Sequence, residues 1–262
     1  MGRSIAVVSG KGGVGKTTIA CGLALTLAKQ DKGVCLIDLD VGLNNIDVLL
    51  GVNNKVVYDL GDCLSGKCRI KQALVSDSRL DNLYILPSVR FSKENINLSG
   101  IKEIVRKLVG VFDYVIIDAP AGMGENFQTA VNAANDTLVV VTPHITALRD
   151  ADKVISFLKG LSLSAKVVVN RIRGDMVARK EMINHEQIEK LLKTKVVGVV
   201  PESDDINILT SLKFEKIAKT KIIDAFSILA ENIKLDQYQI YDYTSKYKGL
   251  IGAVRRNLKR AI

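Results

Sequence analysis

A short apolar run, Ile5-Ala6-Val7-Val8-Ser9, leads straight into Gly10-Lys11-Gly12-Gly13-Val14-Gly15-Lys16-Thr17, and an amphipathic helical stretch follows. This is G-x-x-x-x-G-K-[ST] in the strand–loop–helix setting that the motif requires. The glycines let successive backbone N–H groups turn inward toward phosphate oxygens, and the start of the helix adds a favourable dipole. Gly12, Gly13, Val14, Gly15, Lys16, Thr17 and Thr18 are therefore expected to line a nucleotide's phosphates. Lys16 is expected to neutralise the β- and γ-phosphates, with the Thr17 hydroxyl on Mg²⁺.

The rest of the chain alternates short β-branched runs with longer helical segments. Strands are expected at 4–9, 34–38, 83–86, 114–118, 137–142, 166–170 and 196–201. Each is almost wholly apolar, as a strand covered on both faces must be. Helices are expected at 16–30, 100–109, 126–134, 146–161, 185–193, 204–211 and 222–233. That order implies an α/β fold, a doubly wound and mostly parallel sheet of the P-loop NTPase kind, over residues 1–235. With 262 residues, the chain is long enough to give this sheet a sizeable core. The polar, tyrosine-containing stretch 236–245 reads as a linker to a separate element at 246–262.

Two strands end in acids where ligands bind in such sheets. Leu36-Ile37-Asp38-Leu39-Asp40 closes one, and Val115-Ile116-Ile117-Asp118 closes another. A single acid there can also be a helix cap; two beside a phosphate loop point to nucleotide chemistry. Asp118 opens Asp-Ala-Pro-Ala-Gly, which resembles a Walker B and switch II segment and implies a hold on Mg²⁺ through water. The base site follows from hydrogen-bonding capacity. A guanine-reading loop carries Asn-Lys-x-Asp, whose last acid accepts from the base. Here Asn170-Arg171-Ile172-Arg173 puts a donor-only guanidinium in that place. Adenine is expected, with Asn170 and Arg171 near the ring and the Pro201 segment closing over it.

The second lysine in KGGVGKTT, Lys11, makes the loop resemble the deviant Walker A family of MinD, ParA and nitrogenase iron-protein ATPases. The resemblance implies an ATP- and Mg²⁺-dependent homodimer in which Lys11 reaches the partner's phosphates. It also implies a role for Asp40, with Asp38 beside it, in orienting the attacking water. The similarity is strongest to the MinD branch and runs along essentially the whole chain. It is carried by Asp40-Val-Gly-Leu-Asn-Asn-Ile-Asp, Val56-Val57-Tyr58-Asp59, Asn82-Leu-Tyr-Ile-Leu-Pro, Leu148-Arg-Asp-Ala-Asp and Gly198-Val-Val-Pro-Glu. It implies placement of the division septum, a MinC-like division inhibitor as partner, and a MinE-type or other topological regulator. Asn44 stands where that branch usually has Arg, Gly124 where it has a switch II Glu (Glu125 follows), and His144 where an acid is common.

Net charge is +9, and six basic residues fall within 246–262 with no acid among them. On a helical wheel Tyr247, Leu250, Ile251, Val254, Leu258, Ala261 and Ile262 share an arc of roughly 120°. Lys248, Arg255, Arg256, Lys259 and Arg260 take the other side. A basic polar face opposite a narrow apolar one describes a helix lying in an anionic membrane surface. A helix packed on the domain, or a basic nucleic-acid tail, is the alternative, and a ParA-type partition ATPase would use it on DNA. With the charge concentrated on an amphipathic element and the chain opening directly on its first strand, nucleic acid is not expected as the main partner. A flagellar-number regulator of the same family is expected to carry an N-terminal extension.

No apolar run reaches the roughly 18 residues of a membrane span, and the N-terminus lacks a leader's features. A cytoplasmic protein, peripheral on the inner membrane face, is expected. Cys21, Cys35, Cys63 and Cys68 read as reduced, incidental thiols; the last two, five apart, fit neither a zinc site nor a CxxC pair. An iron–sulfur reductase like the nitrogenase iron protein of that family would need cysteines near and after switch II; none follows Cys68, so that role is not expected. His185 reads as a surface helix residue, whereas His144 follows a strand and can approach a site.

Overall fold

The structure, a computed structural model, describes residues 2–40, 45–89, 98–203, 222–248 and 252. Eight strands form one sheet: β1 (Arg3–Val8), β2 (Val34–Asp38), β3 (Val75–Ser76), β4 (Leu83–Leu86), β5 (Tyr114–Asp118), β6 (Asp136–Val141), β7 (Ala165–Ile172) and β8 (Val196–Pro201). Their order is β3-β4-β2-β5-β1-β6-β7-β8. All pairings are parallel except that of β3 on β4. The central strands are buried along nearly their whole length, so their alternation of apolar and polar residues is lost, as the sequence implied.

The longer helices are α1 (Lys16–Lys29), α5 (Ile101–Val109), α6 (Glu125–Ala133), α7 (Ile145–Gly160), α9 (His185–Leu192) and α10 (Ile222–Leu235). Four short ones, α2 (Asn45–Leu49), α3 (Leu60–Leu64), α4 (Ile70–Ala73) and α8 (Gly174–Ala178), were not foreseen. With four or five residues each, they are too short to show a 3.6-residue period. The two-residue β3 escaped for the same reason, since it cannot display alternation. The helix expected at 204–211 and residue Asn44 lie outside the described residues.

One expectation about α1 is corrected. It is not amphipathic: eleven of its fourteen residues are buried, Lys16 and ten from Ile19 to Ala28 among them. The reason is its place between layers, with β2 and β5 on one side and α10 on the other. A helix covered on both sides must be apolar nearly all round. The packing needs Gly22, because a Cβ there would lie 2.3 Å from two carbons of the Phe226 ring. Phe226 is fully buried and cannot turn away. Gly22→Ala is therefore expected to destabilise the fold by about 1–2 kcal/mol, overpacking of 1–3 kcal/mol being partly offset by alanine's better helix propensity. Urea unfolding at equilibrium measures it, and an unchanged midpoint would mean the two helices are less closely seated.

The stretch expected as a linker runs along the domain. Asn232 in α10 donates from Nδ2 to the carbonyls of Val197 (2.8 Å) and Gln239 (2.6 Å), and accepts from the Gln239 N–H (3.0 Å). Lys166 pairs with Asp236. Tyr243 is buried, its hydroxyl 2.9 Å from His185 Nδ1. His185 is thus no free surface residue; half-buried at the start of α9, it holds this segment, and burial lowers its pKa. A 3₁₀ turn, Ser245–Tyr247, lies against α8. Of the element expected at 246–262, Lys246, Tyr247, Lys248 and Gly252 are described: the first two lie in this turn rather than in an α-helix, and Lys248 is extended and pairs with Asp242 at 3.1 Å. Leu250, Ile251, Val254, Arg255, Arg256, Leu258, Lys259 and Ile262 lie outside the described residues.

Candidate functional site

Parallel pairing assembles the site at the C-terminal ends of the central strands. In register, Asp38 of β2 stands opposite Asp118 of β5, and Asp118 opposite Val7 of β1, three residues before Gly10 opens the loop. Gly13 and Gly15 have φ of 78° and 89°, backbone that L-residues rarely adopt. Space is open beside Gly12 and Gly13, where an added Cβ would meet nothing within 4 Å. Gly15 caps α1 without a side-chain hydrogen bond, which leaves the helix start able to receive an anion.

Lys16 Nζ lies 2.8 Å from Asp118 Oδ1, with the two side chains 7% and 1% exposed. The other carboxylate oxygen, Asp118 Oδ2, is buried without a hydrogen-bond partner. An acceptor so placed costs free energy unless a cation or an ordered water completes it. Burial raises the Asp118 pKa, opposed by the Lys16 charge and by hydrogen bonds from Lys16 and Thr17. An oxygen-rich corner with an unmatched carboxylate and an adjacent threonine hydroxyl suits Mg²⁺. Thr17 and Thr18, both half-buried, occupy the first turn of α1 beside it.

Asp38 is buried and accepts from the backbone N–H groups of Asp40 (2.9 Å) and Ile46 (3.4 Å). Asp40 itself is partly exposed at the mouth of the corner, so Asp38 shapes the loop and Asp40 reaches solvent. Burial first, and the Asp118 charge second, push the Asp38 carboxyl up to about 7. An acid whose folded pKa is raised holds its proton longer in the native state than in the unfolded one. The nucleotide-free protein should therefore lose stability as pH rises from about 4 to about 7, by about 2–4 kcal/mol from this group. Urea midpoints across that range test this. Asp38→Asn should flatten the slope, and an unchanged slope would contradict the assignment.

Across the loop, Asn170 is buried at the end of β7 and its Nδ2 donates to the Val14 carbonyl at 2.8 Å. Its Oδ1 is buried without a partner. That oxygen can accept from an exocyclic amine, as adenine's N6 offers and guanine's O6 does not. Arg171 is exposed, with φ 57°, and lines a cleft of about 420 Å³ together with Lys11, Gly12, Gly13 and Val14. Pro201 pairs with Ile172 at the strand end, and it is Glu202, one residue on, that lines the cleft. Arg173, the donor-only residue in the base-reading position, lies on the same wall, together with Met176 and Met182, which nothing in their sequence spacing marks. His144 does line the cleft.

Lys11 stands apart from the other loop residues. It is exposed at the rim of the cleft, and its Nζ lies 3.5 Å from Thr146 Oγ1 on α7. Gly124, in the switch II region, is the N-cap of α6, and Glu125 sits in that helix's first turn.

Known proteins match this arrangement. The CobQ/CobB/MinD/ParA nucleotide binding domain matches residues 5–212. A septum site-determining protein MinD from Thermotoga maritima is 40% identical over 262 residues, covering 97% of each chain. In a solved MinC:MinD cell division complex from Aquifex aeolicus, the matching chain is 36% identical and superposes with a TM-score of 0.84, over 92% of this chain and 99% of that one. A Pyrococcus horikoshii MinD complexed with Mg-ADP is 27% identical with a TM-score of 0.80, over 90% of this chain and 97% of that one.

Proposed function

We propose a function from one premise: this chain belongs to the MinD branch of the CobQ/CobB/MinD/ParA nucleotide-binding family. It is an ATPase that dimerises in its ATP state, binds the inner face of the cell membrane through residues 246–262, and there recruits a MinC-like inhibitor that positions the division septum. The observation that carries this reading is the position of Lys11. An exposed lysine in the glycine loop, its Nζ against Thr146 at the rim of the cleft, is available to a second subunit's phosphates. The MinC:MinD complex from Aquifex aeolicus supports the choice of partner.

The residues divide the work. Backbone N–H groups of Gly12 to Thr18 and the start of α1 bind the phosphates, and Lys16 leaves Asp118 to neutralise them. Thr17 and, through water, Asp118 would hold Mg²⁺, which when bound supplies positive charge against that developing on the phosphoryl oxygens. Asp40 orients the attacking water, its loop braced by the Asp38 carboxylate. Asn170 and Arg171 hold the adenine. Lys11 from the opposite subunit adds charge at the phosphates only when two copies meet, so hydrolysis is coupled to dimerisation.

The tail converts dimerisation into location. Each basic residue near an anionic leaflet contributes about 1 kcal/mol, and several buried apolar side chains add a few more, less the cost of ordering the segment. One tail alone is marginal. Two tails on a dimer raise avidity by about 10²–10⁴, because the second insertion is intramolecular. ATP then recruits and hydrolysis releases, and a MinE-type or other topological regulator would act on this cycle.

A paired assay tests the proposal. The protein is sedimented with vesicles containing anionic lipid, and separately assayed for binding to duplex DNA, each with ATP, with ADP and without nucleotide. ATP-dependent vesicle binding with no ATP-dependent DNA binding is expected. ATP-dependent DNA binding without a lipid effect would overturn the membrane reading in favour of a ParA-type partition role.

A further inference from the structure

The four cysteines divide sharply. Cys21 and Cys35 are buried, whereas Cys63 and Cys68 are each partly exposed. Their spacing of five suggested nothing in sequence, but the chain folds back after α3. Gly66, at φ 76°, donates to the Cys63 carbonyl (3.2 Å), and Lys67 (2.9 Å) and Cys68 (3.4 Å) both donate to the Asp62 carbonyl. This turn sets Cys63 Sγ 3.5 Å from Cys68 Sγ. A disulfide needs about 2.05 Å, so each sulfur would move by about 0.7 Å.

We propose that Cys63 and Cys68 are a modification site, a dithiol that closes reversibly to a disulfide by exchange with an anionic low-molecular-weight peptide disulfide such as oxidised glutathione. Three features favour this chemistry. The flanking Ser65, Gly66 and Lys67 are exposed, so a small oxidant has access. Arg69, exposed beside Cys68, attracts an anionic reagent, and Lys67 on the other side, paired with Asp62 at 3.4 Å, offsets that acid's charge. No group of three or more metal-binding side chains occurs among the described residues, so the pair has no third ligand with which to hold an ion.

The order of steps follows from the surroundings. Burial and the neighbouring Cys68 push the Cys63 thiol up to about 12, which makes it a poor first nucleophile. Cys68, flanked by the exposed Lys67 and Arg69, gives its proton to solvent and attacks one sulfur of the oxidant, forming a mixed disulfide and releasing one glutathione thiolate. Cys63 then loses its proton to solvent base and attacks Cys68 Sγ, releasing the second. Two protein thiols are oxidised, the peptide disulfide takes two electrons, and two protons leave with the two glutathione molecules.

To test it, the reduced full-length protein is incubated with oxidised glutathione at pH 8, quenched in acid, alkylated under denaturing conditions, and examined by intact mass and peptide mapping. The expected product is a Cys63–Cys68 cross-linked peptide exceeding any glutathione adduct by at least about tenfold, because the second step is intramolecular. Cys63→Ser should instead accumulate glutathione on Cys68. Cys68→Ser should take up glutathione on Cys63 about tenfold more slowly. A wild-type protein that stays unmodified, or carries adducts without the cross-link, would overturn the proposal. So would a cross-link through Cys21 or Cys35. The wild-type result stands whether or not either variant folds.

Discussion

Replacing Lys16 by alanine should lower ATP turnover by about 10²–10³-fold, the scale of losing one preorganised charge at a transition state. The effect has a second component, because Lys16 is the cation beside the buried Asp118 carboxylate, 2.8 Å away. Without it that carboxylate is uncompensated, and the nucleotide-free variant should lose about 3–5 kcal/mol of stability unless Asp118 takes up a proton. Adding Asp118→Asn removes the orphaned charge. The double variant should recover stability in urea unfolding and stay inactive in phosphate release. Recovery of turnover as well would mean that Lys16 serves the fold alone. The Lys16→Ala protein should also fail to sediment with anionic vesicles in ATP, because on this account membrane binding is downstream of the nucleotide.

Ending the chain after Tyr247 should abolish vesicle binding while leaving ATP affinity intact. The deletion removes Lys248, Arg255, Arg256, Lys259 and Arg260, at about 1 kcal/mol each near an anionic leaflet, together with the apolar residues between them. With the two-tail avidity of a dimer also lost, the decrease should be at least about 10²-fold. The truncation spares the site: Lys16 starts α1, Asp38, Asp118 and Asn170 lie at or near the ends of β2, β5 and β7, and the Tyr243–His185 contact remains. Calorimetric ATP binding beside vesicle sedimentation separates the two. Persistent sedimentation of the truncated protein would place the lipid-binding surface elsewhere.

The sheet was legible because its strands are buried on both faces and so read as unbroken apolar runs. Val34–Asp38, Leu83–Leu86, Tyr114–Asp118 and Val196–Pro201 lie where the pattern put them, β1, β6 and β7 differ only at their ends, and only the two-residue β3 was not read. The phosphate loop was legible because its chemistry dictates glycine and lysine at fixed spacing. Burial was harder to read. The sequence of α1 says that it is apolar, but only the position of α10 across it explains why almost no face is polar. The cleft wall was partly illegible for a related reason. Met176 and Met182 come together through a short helix and the loop after it, and neither has a periodicity to detect. The Cys63–Cys68 approach depends on a left-handed Gly66, which spacing alone does not reveal. The unpaired Asp118 Oδ2 and Asn170 Oδ1 belong to geometry alone, and they are the two points where the site is incomplete without a ligand.

The account rests on Lys11 acting across a dimer, and sedimentation velocity with a slowly hydrolysed ATP analogue tests this most directly. The wild-type protein should sediment as a dimer with the analogue and as a monomer with ADP. Lys11→Ala should bind the analogue yet remain monomeric, since Lys11 is exposed at the rim of the cleft with its Nζ against Thr146. A Lys11→Ala protein that dimerises as readily as the wild type, or a wild type that stays monomeric with the analogue bound, would contradict it.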